Sequence, residues 1–391
     1  MRTVIAQASL HAALQHVMPA AAVNPAIPAL SGIRLQADAG GLTLTGSNEV
    51  TRLQYHIPSD DPALSVLEEG GAVIPARRFG DLIRYLGEEA VALEAGKEML
   101  QIRTAGTVCR LALAARDASE FREAFDLTDV VRIRISNRDL KRMVKQVSFA
   151  AASSEARMVL TGVLCRVDGS RLSLTATDGI RLAFCSSELE DSAGEMGPSA
   201  VIPAKSLSTY AQILGDAGFS RISIGTNAVE LESGRFRMLS SLLGGAYPSV
   251  DGLKPARELT RVTLHIASLL QAVEGASVLS GDQQHLMLLT VSPKQAILSS
   301  ASAGTGEMQV TVPWDGPVSG IPAAPLTVSF NGKYMKEMLG SIASDRVQLV
   351  LAGPDRPIVL EPVDDRPGAE AYYLLTPIRT PAVLASPTSP A

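Results

Sequence analysis

The 391-residue chain is poor in aromatic residues and has no long apolar run. Aromatic residues make up only 4% of it, so the stacking platforms of single-strand binding proteins are not an evident resource. No stretch approaches the roughly 18 uninterrupted apolar residues of a membrane span, and residues 1–10 contain no apolar segment of the signal-peptide type. We therefore predict a soluble cytoplasmic protein.

Cysteine and metal-binding motifs are equally sparse. The three cysteines, Cys109, Cys165 and Cys185, are odd in number and lie in apolar, strand-like runs, which predicts reduced thiols. None of the five histidines has a metal-binding spacing such as HExxH, and no phosphate-binding or dinucleotide-binding glycine motif is present. The sequence therefore predicts neither a metal nor another cofactor.

Charge is distributed unevenly along the chain. The net charge of −5 and a pI of about 5.7 argue, taken alone, against a nucleic-acid binder. The six segments with helical periodicity nevertheless hold ten basic and four acidic residues, about +6, which leaves about −11 elsewhere. These segments are 9–18, 77–87, 136–148, 205–215, 266–275 and 331–340. A solvated basic helix face is the ordinary explanation, but the imbalance recurs at related places.

Three sequence markers recur at a spacing of about 130 residues, which indicates three similar domains. The first marker precedes a helix, the second is a strand, and the third is a leucine in the opening helix of each repeat. They are Val73–Arg77, Val201–Lys205 and Val328–Lys333; Leu42–Thr45, Leu172–Thr175 and Ile297–Ser300; and Leu10, Leu140 and Leu269.

Each repeat alternates helical segments with strands of period two, such as Ile33–Ala37 and Val91–Ala95, separated by glycine turns. Two helices packed on antiparallel sheets in each repeat give an α+β class. We place three similar domains at residues 1–127, 128–255 and 256–380. A Pro/Ser/Ala-rich tail follows at 381–391, which we expect to be disordered.

One segment resembles a known family. Thr175–Ala183 is similar to the central-domain signature of the bacterial DNA polymerase III beta subunit, and Leu160–Gly162, Tyr373–Arg379 and the Val-Ile-Pro-Ala segments also fit. The resemblance covers residues 1 to about 380. It implies a non-catalytic DNA sliding clamp, a processivity factor in which a head-to-tail homodimer forms a ring. Each chain is then half of a ring of the DNA clamp fold.

Helix dimensions support two chains per ring. With helices about 10 Å across, twelve side by side leave a bore of ~28 Å, whereas six leave ~9 Å, too narrow for a duplex about 20 Å wide. A head-to-tail interface that closes by rotation gives such a ring.

Basic residues on the helical segments are the expected DNA-facing groups, because cations attract phosphates without reading base sequence. They are Arg77, Arg78, Arg84, Lys141, Arg142, Lys145, Lys205, Lys333 and Lys336. The acidic remainder is expected to repel DNA. Relative to well-known relatives, Asn24 replaces an arginine, and Met158 and Val159 replace two tyrosines, so we expect altered DNA contact there.

The resemblance also implies a pocket that receives short linear peptides from the replicative polymerase, the clamp loader and repair proteins. The matching positions are Leu160, Thr177, Gly179, Arg181, Leu182, Pro248, Thr376, Pro377, Ile378 and Arg379. An apolar groove with a few polar anchors suits such peptides. Ile180, Gly252 and Thr376 depart from the residues common in the family, which implies a different peptide preference.

The subunit seam implied by the resemblance joins an edge strand at Thr107–Leu113, including Leu111, to the region of Val278 and Leu279. Two other interpretations stay open. An enzyme would need partners for Asp178 that the nearby sequence does not offer, and a scaffold that never binds DNA would need only the peptide pocket.

Overall fold

The computed structural model of the chain describes most of its residues: 1–87, 89–114, 121, 127–190, 199–255, 260–279, 285–292, 295–302, 306–314, 320, 325–363 and 368–379. The predicted tail at 381–391 lies outside these residues. All strand pairs within the described ranges are antiparallel, which confirms the α+β class.

All six predicted helices are confirmed. They are α1 (Gln7–Val17), α2 (Ala76–Tyr85), α3 (Asn137–Val147), α4 (Ala204–Ile213), α5 (Ile266–Leu279) and α6 (Gly332–Ser341). The fifth helix ends four residues beyond its predicted end, because Ala276 continues the buried face. None of the helices in the described ranges is long and apolar enough to cross a membrane.

The strands are numbered along the chain. The first nine are β1 (Arg2–Ala6), β2 (Gly32–Asp38), β3 (Gly41–Ser47), β4 (Thr51–Pro58), β5 (Leu64–Glu68), β6 (Gly70–Pro75), β7 (Ala90–Ala95), β8 (Met99–Arg103) and β9 (Val108–Ala112). The next eight are β10 (Val131–Ser136), β11 (Gly162–Asp168), β12 (Arg171–Thr177), β13 (Arg181–Glu188), β14 (Ser199–Pro203), β15 (Phe219–Ile224), β16 (Ala228–Ser233) and β17 (Phe236–Ser241). The last eight are β18 (Thr260–His265), β19 (Leu286–Val291), β20 (Ala296–Ser302), β21 (Gly306–Val312), β22 (Leu326–Asn331), β23 (Arg346–Leu351), β24 (Ile358–Pro362) and β25 (Glu370–Leu375).

The chain folds into two compact units. The first comprises Met1–Arg138 and Thr209–Leu242. It contains a five-stranded sheet in the order β5-β1-β7-β8-β9 and an eight-stranded sheet in the order β10-β15-β16-β17-β4-β3-β2-β6. Its core includes His16 of α1 and Tyr210 of α4, whose rings lie 5.5 and 5.2 Å from that of Phe236.

The second unit comprises Asp139–Ser208 and Leu243–Ala391. Its eight-stranded sheet has the order β14-β11-β12-β13-β25-β24-β23-β18, and its four-stranded sheet the order β21-β20-β19-β22. The predicted second domain is thus divided between the units, because β17 pairs with β4 whereas β13 pairs with β25. The three domain boundaries stay a prediction.

The recurring Val-Ile-Pro-Ala segment has a physical explanation. Pro75 ends β6 and Pro203 ends β14, and both strands lie at the edge of their sheets, where a missing N–H is tolerated. The next residue, Ala76 or Ala204, begins a helix. The motif therefore marks the change from an edge strand to a helix.

The three cysteines are unpaired and lie in strands, as predicted. Cys109 is half-buried in β9, whereas Cys165 and Cys185 are buried in β11 and β13. Burial raises the pKa of both buried thiols to about 12, which keeps them protonated and unreactive.

Candidate functional site

The predicted pocket begins at the turn between β12 and β13, where Asp178 closes an Asx turn. Its Oδ1 accepts hydrogen bonds from the backbone N–H groups of Ile180 and Arg181, at 2.9 and 3.0 Å. Thr177 completes the turn, because its hydroxyl donates to the carbonyl of Arg181 at 2.6 Å. Gly179 adopts a φ of +93°, a conformation that favours glycine. The signature segment is therefore a rigid turn that needs no catalytic role.

Arg181 points to the helix-bearing side of the sheet. Its Nε donates to Asp178 Oδ2 at 3.0 Å, and its Nη1 pairs with Glu337 on α6. The guanidinium also lies over the rings of Phe149 and Tyr334, at 5.2 and 4.5 Å from their centroids. Only 8% of the side chain is exposed, so Arg181 holds the turn against α6 and presents little surface to a ligand.

Leu182 faces the opposite side of the same sheet, because successive strand residues alternate. It belongs to an apolar cluster that we name the apolar face, composed of Leu182, Val250, Val350, Val359 and Leu374. Three partly buried aromatic residues pack against this cluster: Phe184, Tyr247 and Tyr372.

Two aromatic contacts organise the apolar face. The rings of Phe184 and Tyr372 stack with centroids 4.7 Å apart. The hydroxyl of Tyr247 accepts a hydrogen bond from the N–H of Thr177 at 3.1 Å, which ties the segment after Leu243 to the turn. Burial raises the pKa of Tyr247 to about 12, so its hydroxyl stays neutral.

Exposed apolar side chains surround the apolar face. Ile180 is 46% exposed and Leu253 is 49% exposed, and Pro248 and Thr376 are also exposed. The N–H of Thr376 donates to the carbonyl of Ile180 at 2.9 Å, so the last strand borders the turn. Apolar surface edged by backbone polar groups suits extended peptide ligands.

The C-terminal pocket positions are held by a second contact. The N–H of Ile378 donates to the carbonyl of Ser329 at 2.9 Å, and the Ser329 hydroxyl donates back to the carbonyl of Ile378. Pro377 and Ile378 are half-buried and Arg379 is exposed. This segment is therefore fixed beside β22.

The structure places the predicted pocket residues in three groups. One turn and strand carry Thr177, Gly179, Arg181 and Leu182. Hydrogen bonds bring the segments that carry Pro248 and Thr376–Arg379 to that turn. Leu160 is 1% exposed in the 3-10 helix Glu155–Thr161, where it packs as core.

Sequence reasoning did not assign seven residues that pack at this site: Phe184, Tyr247, Val250, Val350, Val359, Tyr372 and Leu374. The continuous apolar runs at residues 349–351 and 358–360 carried the signal for Val350 and Val359. Their pairing with β25 joins distant parts of the chain and leaves no local mark.

Most of the predicted DNA-facing side chains are exposed on their helices. In the first unit, Arg77, Arg78 and Arg84 are exposed on α2, opposite the buried Phe79 and Ile83. In the second unit, the exposed basic residues are Lys145, Lys205, Lys333 and Lys336, and Lys141 is half-buried. Arg84 lies 3.1 Å from Asp81, and Lys336 lies 2.9 Å from Glu274.

Arg142 differs from the other basic residues. Only 10% of its side chain is exposed, and its Nη2 lies 2.8 Å from Asp139 and 3.5 Å from the Ser187 hydroxyl. This position offers little surface to a phosphate.

The residues predicted for the subunit seam lie at exposed edges. β9 is the edge strand of the five-stranded sheet, with Val108 64% exposed and Leu111 half-buried. In the second unit, Val278 is 80% exposed and Leu279 is half-buried at the end of α5.

No cluster of three or more metal-ligating side chains occurs within the described ranges. The three positions whose residues differ from those of well-known relatives also have defined places. Asn24 adopts a φ of +53°, Met158 is 51% exposed and Val159 is half-buried.

Comparison with known proteins matches three consecutive parts of the chain to one protein family. Residues 1–125, 134–249 and 253–378 match the profiles of the N-terminal, central and C-terminal domains of the DNA polymerase III beta subunit. The chain is 29% identical over 372 residues to a beta sliding clamp of Staphylococcus epidermidis, covering 94% of this chain and 96% of the relative. It is 29% identical over 386 residues to that of Bacillus subtilis, covering 97% and 100%.

A solved structure agrees with these matches. The DNA polymerase sliding clamp of Bacillus subtilis superimposes with a TM-score of 0.90 at 27% identity, covering 97% of this chain and 99% of that one. The three consecutive domain matches and the shared fold assign this chain to the DNA polymerase III beta subunit family, the beta sliding clamps.

Proposed function

We propose that two copies of this chain close head to tail into a ring around duplex DNA and tether the replicative polymerase. A member of a sliding-clamp family is a processivity subunit and not a catalyst. The observation that carries the proposal is the exposure of basic side chains on the helices of an otherwise anionic chain. A closed ring needs no base-specific contact, because it cannot leave DNA without opening.

The DNA-facing set in this proposal consists of the exposed and half-exposed cations. They are Arg77, Arg78, Arg84, Lys141, Lys145, Lys205, Lys333 and Lys336. Their phosphate contacts exchange as the ring slides, because each is a weak charge attraction in a solvated setting. Arg142 is left out because only 10% of its side chain is exposed.

The docking function belongs to the apolar face and the exposed residues beside it. A short linear peptide places its apolar side chains on the partly buried rings that pack against the apolar face, Phe184, Tyr247 and Tyr372. The exposed Ile180 and Leu253 extend this contact. The replicative polymerase, the clamp loader and repair proteins are the expected sources of such peptides. Buried apolar area supplies the affinity, at about 25 cal/mol per Å² before the cost of ordering the peptide.

The proposed subunit seam joins the edge strand β9, with Leu111, to the region of Val278 and Leu279 of the partner copy. These two residues end α5 and supply apolar contact, while the unpaired backbone groups of β9 need an edge strand such as β21 as their partner. The domain boundaries proposed here are 1–127, 128–255 and 256–380, and the proposed location is the cytoplasm.

Retention on DNA tests the ring. The protein is loaded onto a nicked circular plasmid by the clamp loader of the same organism, and bound protein is measured by gel filtration before and after linearisation. Wild-type protein stays on the circle and leaves the linear molecule. The triple variant Arg77→Glu, Lys145→Glu, Lys205→Glu leaves little protein on the circle, because repulsion by the phosphates opposes the loading of the ring onto DNA.

A matched reversal controls for total charge. Arg2, Lys97 and Arg356 are exposed and lie outside the helices, and their change to glutamate leaves retention within two-fold of wild type. Equal loss in both triples, or a strictly monomeric mass in solution, would contradict the ring.

A further inference from the structure

Four exposed arginines lie on one face of the eight-stranded sheet of the first unit. We name this the arginine face: Arg132 and Arg134 on β10, Arg221 on β15 and Arg237 on β17. It is opposite to the face that contacts α1 and α4, because Ile133, Ile135 and Phe236 alternate with the arginines and are buried.

Cross-strand pairing places like charges together on the arginine face. Arg134 is directly opposite Arg221, an arrangement that is destabilising unless neighbouring groups compensate for it. One glutamate lies beside the pair, since Arg221 Nη1 is 3.3 Å from Glu232 Oε2. Arg237 pairs in turn with Glu230. Among the described residues, two glutamates, Glu230 and Glu232, thus pair with two of the four arginines.

Arg132 and Arg134 have no acidic partner among the residues that the structure describes. Arg134 instead places its Cζ 4.1 Å from the ring centroid of Phe219, which is 40% exposed. A hollow of about 470 Å³ lies here, lined by Arg134, Phe219, Arg221, Glu232 and Gly234. Its cationic surface therefore has room for an external anionic group.

The chemistry of the arginine face selects carboxylates in an extended chain. All four cations are arginine, whose planar fork binds a carboxylate through two parallel hydrogen bonds. Arg132 and Arg134 are two residues apart on one strand, about 6.8 Å at 3.4 Å per residue. Alternate side chains of an extended peptide have the same spacing.

We propose that the arginine face docks an acidic, extended peptide segment of a partner protein, with carboxylates at alternate positions. Single-stranded nucleic acid is disfavoured because Phe219 is the one exposed aromatic ring lining the hollow, and Arg134 already covers it. Duplex DNA inside the ring does not reach the arginine face if the helices line the bore, and this exclusion rests on the proposed function. The excess of arginine over glutamate on this face does not depend on that function.

The test uses a fluorescein-labelled dodecapeptide of alternating glutamate and threonine, titrated by anisotropy against the full chain at low and physiological salt. The double variant Arg132→Gln, Arg134→Gln is expected to weaken binding at least ten-fold. A matched double variant, Arg2→Gln, Arg103→Gln, removes the same charge from exposed positions of the other sheet and stays within two-fold of wild type.

Three further binding measurements identify the chemical class of the ligand and test whether the arginine fork is needed. A glutamine–threonine peptide of the same length is expected to bind at least ten-fold more weakly than the acidic one. Oligo-dT of twelve nucleotides is expected to bind more weakly than the acidic peptide. Arg134→Lys keeps the charge and the fold but loses the fork, with an expected three-fold or greater loss.

The proposal fails if both double variants weaken peptide binding equally, or if the neutral peptide binds as well as the acidic one. Tighter binding of oligo-dT with the same dependence on Arg132 and Arg134 would assign the face to nucleic acid. Thermal melting of each variant identifies misfolding, and the Arg134→Lys result then stands in for the double variant. Full binding by Arg134→Lys also contradicts the carboxylate fork.

Discussion

The two eight-stranded sheets correspond strand by strand, yet their exposed faces have opposite chemistry. Both contain the same Asx turn. Asn48 Oδ1 accepts from the N–H groups of Val50 and Thr51 at 2.8 Å, as Asp178 does from the two residues at the same offsets. After each turn a strand pairs with one from another repeat, β4 with β17 and β13 with β25.

The strand register identifies the equivalent residues of the two eight-stranded sheets. Arg52 pairs with Leu239, and at the equivalent place Leu182 pairs with Leu374. One row across the first sheet contains Arg52, Leu239, Glu230, Ser223 and Arg132, whereas the same row of the second contains Leu182, Leu374, Val359, Val350 and Arg261. Backbone pairing therefore preserves the architecture while the side chains of one face diverge. This divergence gives one sheet an apolar face and the other an arginine face.

Exchanging the two residues that follow the turns is expected to have the largest effect. Leu182→Arg places a charge at a position that is 3% exposed and destabilises the protein by about 3–5 kcal/mol. It also lowers the affinity for an apolar docking peptide at least 100-fold, because the peptide would have to cover the charge and remove its hydration. Urea denaturation and peptide titration measure both effects.

The reverse exchange is the control for that prediction. Arg52 lies on the eight-stranded sheet of the first unit, and Arg52→Leu is expected to leave the affinity for the apolar docking peptide unchanged. Undiminished peptide binding by a folded Leu182→Arg protein would move the docking site away from the apolar face.

Removing Arg181 is expected to have the next largest effect, on stability. Arg181→Met leaves Asp178 and Glu337 without their cation, and we expect a loss of about 3 kcal/mol in the free energy of unfolding. Arg171→Met, whose side chain is 45% exposed and 3.9 Å from Glu370, is expected to change stability by no more than about 0.5 kcal/mol. Equal losses in the two variants would contradict the anchoring role of Arg181.

The two Asx turns are expected to differ in strength. Asn48→Ala removes two backbone hydrogen bonds and is expected to cost about 1–2 kcal/mol. Asp178→Ala removes two similar bonds and also the ion pair with Arg181, for about 2–3 kcal/mol. Chemical denaturation of both variants under one condition gives the difference, and a larger loss for Asn48→Ala would reverse the interpretation.

The smallest expected effect is on stability in acid, to which Glu361 in the eight-stranded sheet of the second unit contributes. Burial raises the pKa of Glu361, but hydrogen bonds from Lys254 and Arg261 outweigh it, so the net pKa lies below the ordinary value. A lowered pKa in the folded state gives stability that is present above the unfolded pKa and is lost as pH falls through the folded one.

Thermal denaturation from pH 6 to pH 3 measures this contribution. We expect Glu361→Gln to show a shallower loss of stability in acid than the wild type. Glu232→Gln, at the equivalent place on the first sheet, serves as the control. An unchanged acid profile for Glu361→Gln would assign the acid sensitivity to other carboxylates.

Much of this fold was predictable because its signals are local. Helical periodicity gave all six helices, and Pro75 and Pro203 mark edge strands by their missing N–H groups. The side to which Arg181 points follows from strand alternation, but the partner on that side, Glu337, is 156 residues away. The packing of Val350 and Val359 on Leu374 depends on pairing between distant strands, which local patterns do not encode.

The buried state of two thiols has a practical consequence for labelling. Cys165 and Cys185 stay protonated at neutral pH, whereas Cys109 lies half-buried on the edge strand β9. A maleimide dye added near pH 7 therefore modifies a single position of the native protein. The wild-type chain can carry one fluorophore on β9 without any engineered substitution, and the dye would report on the proposed subunit seam.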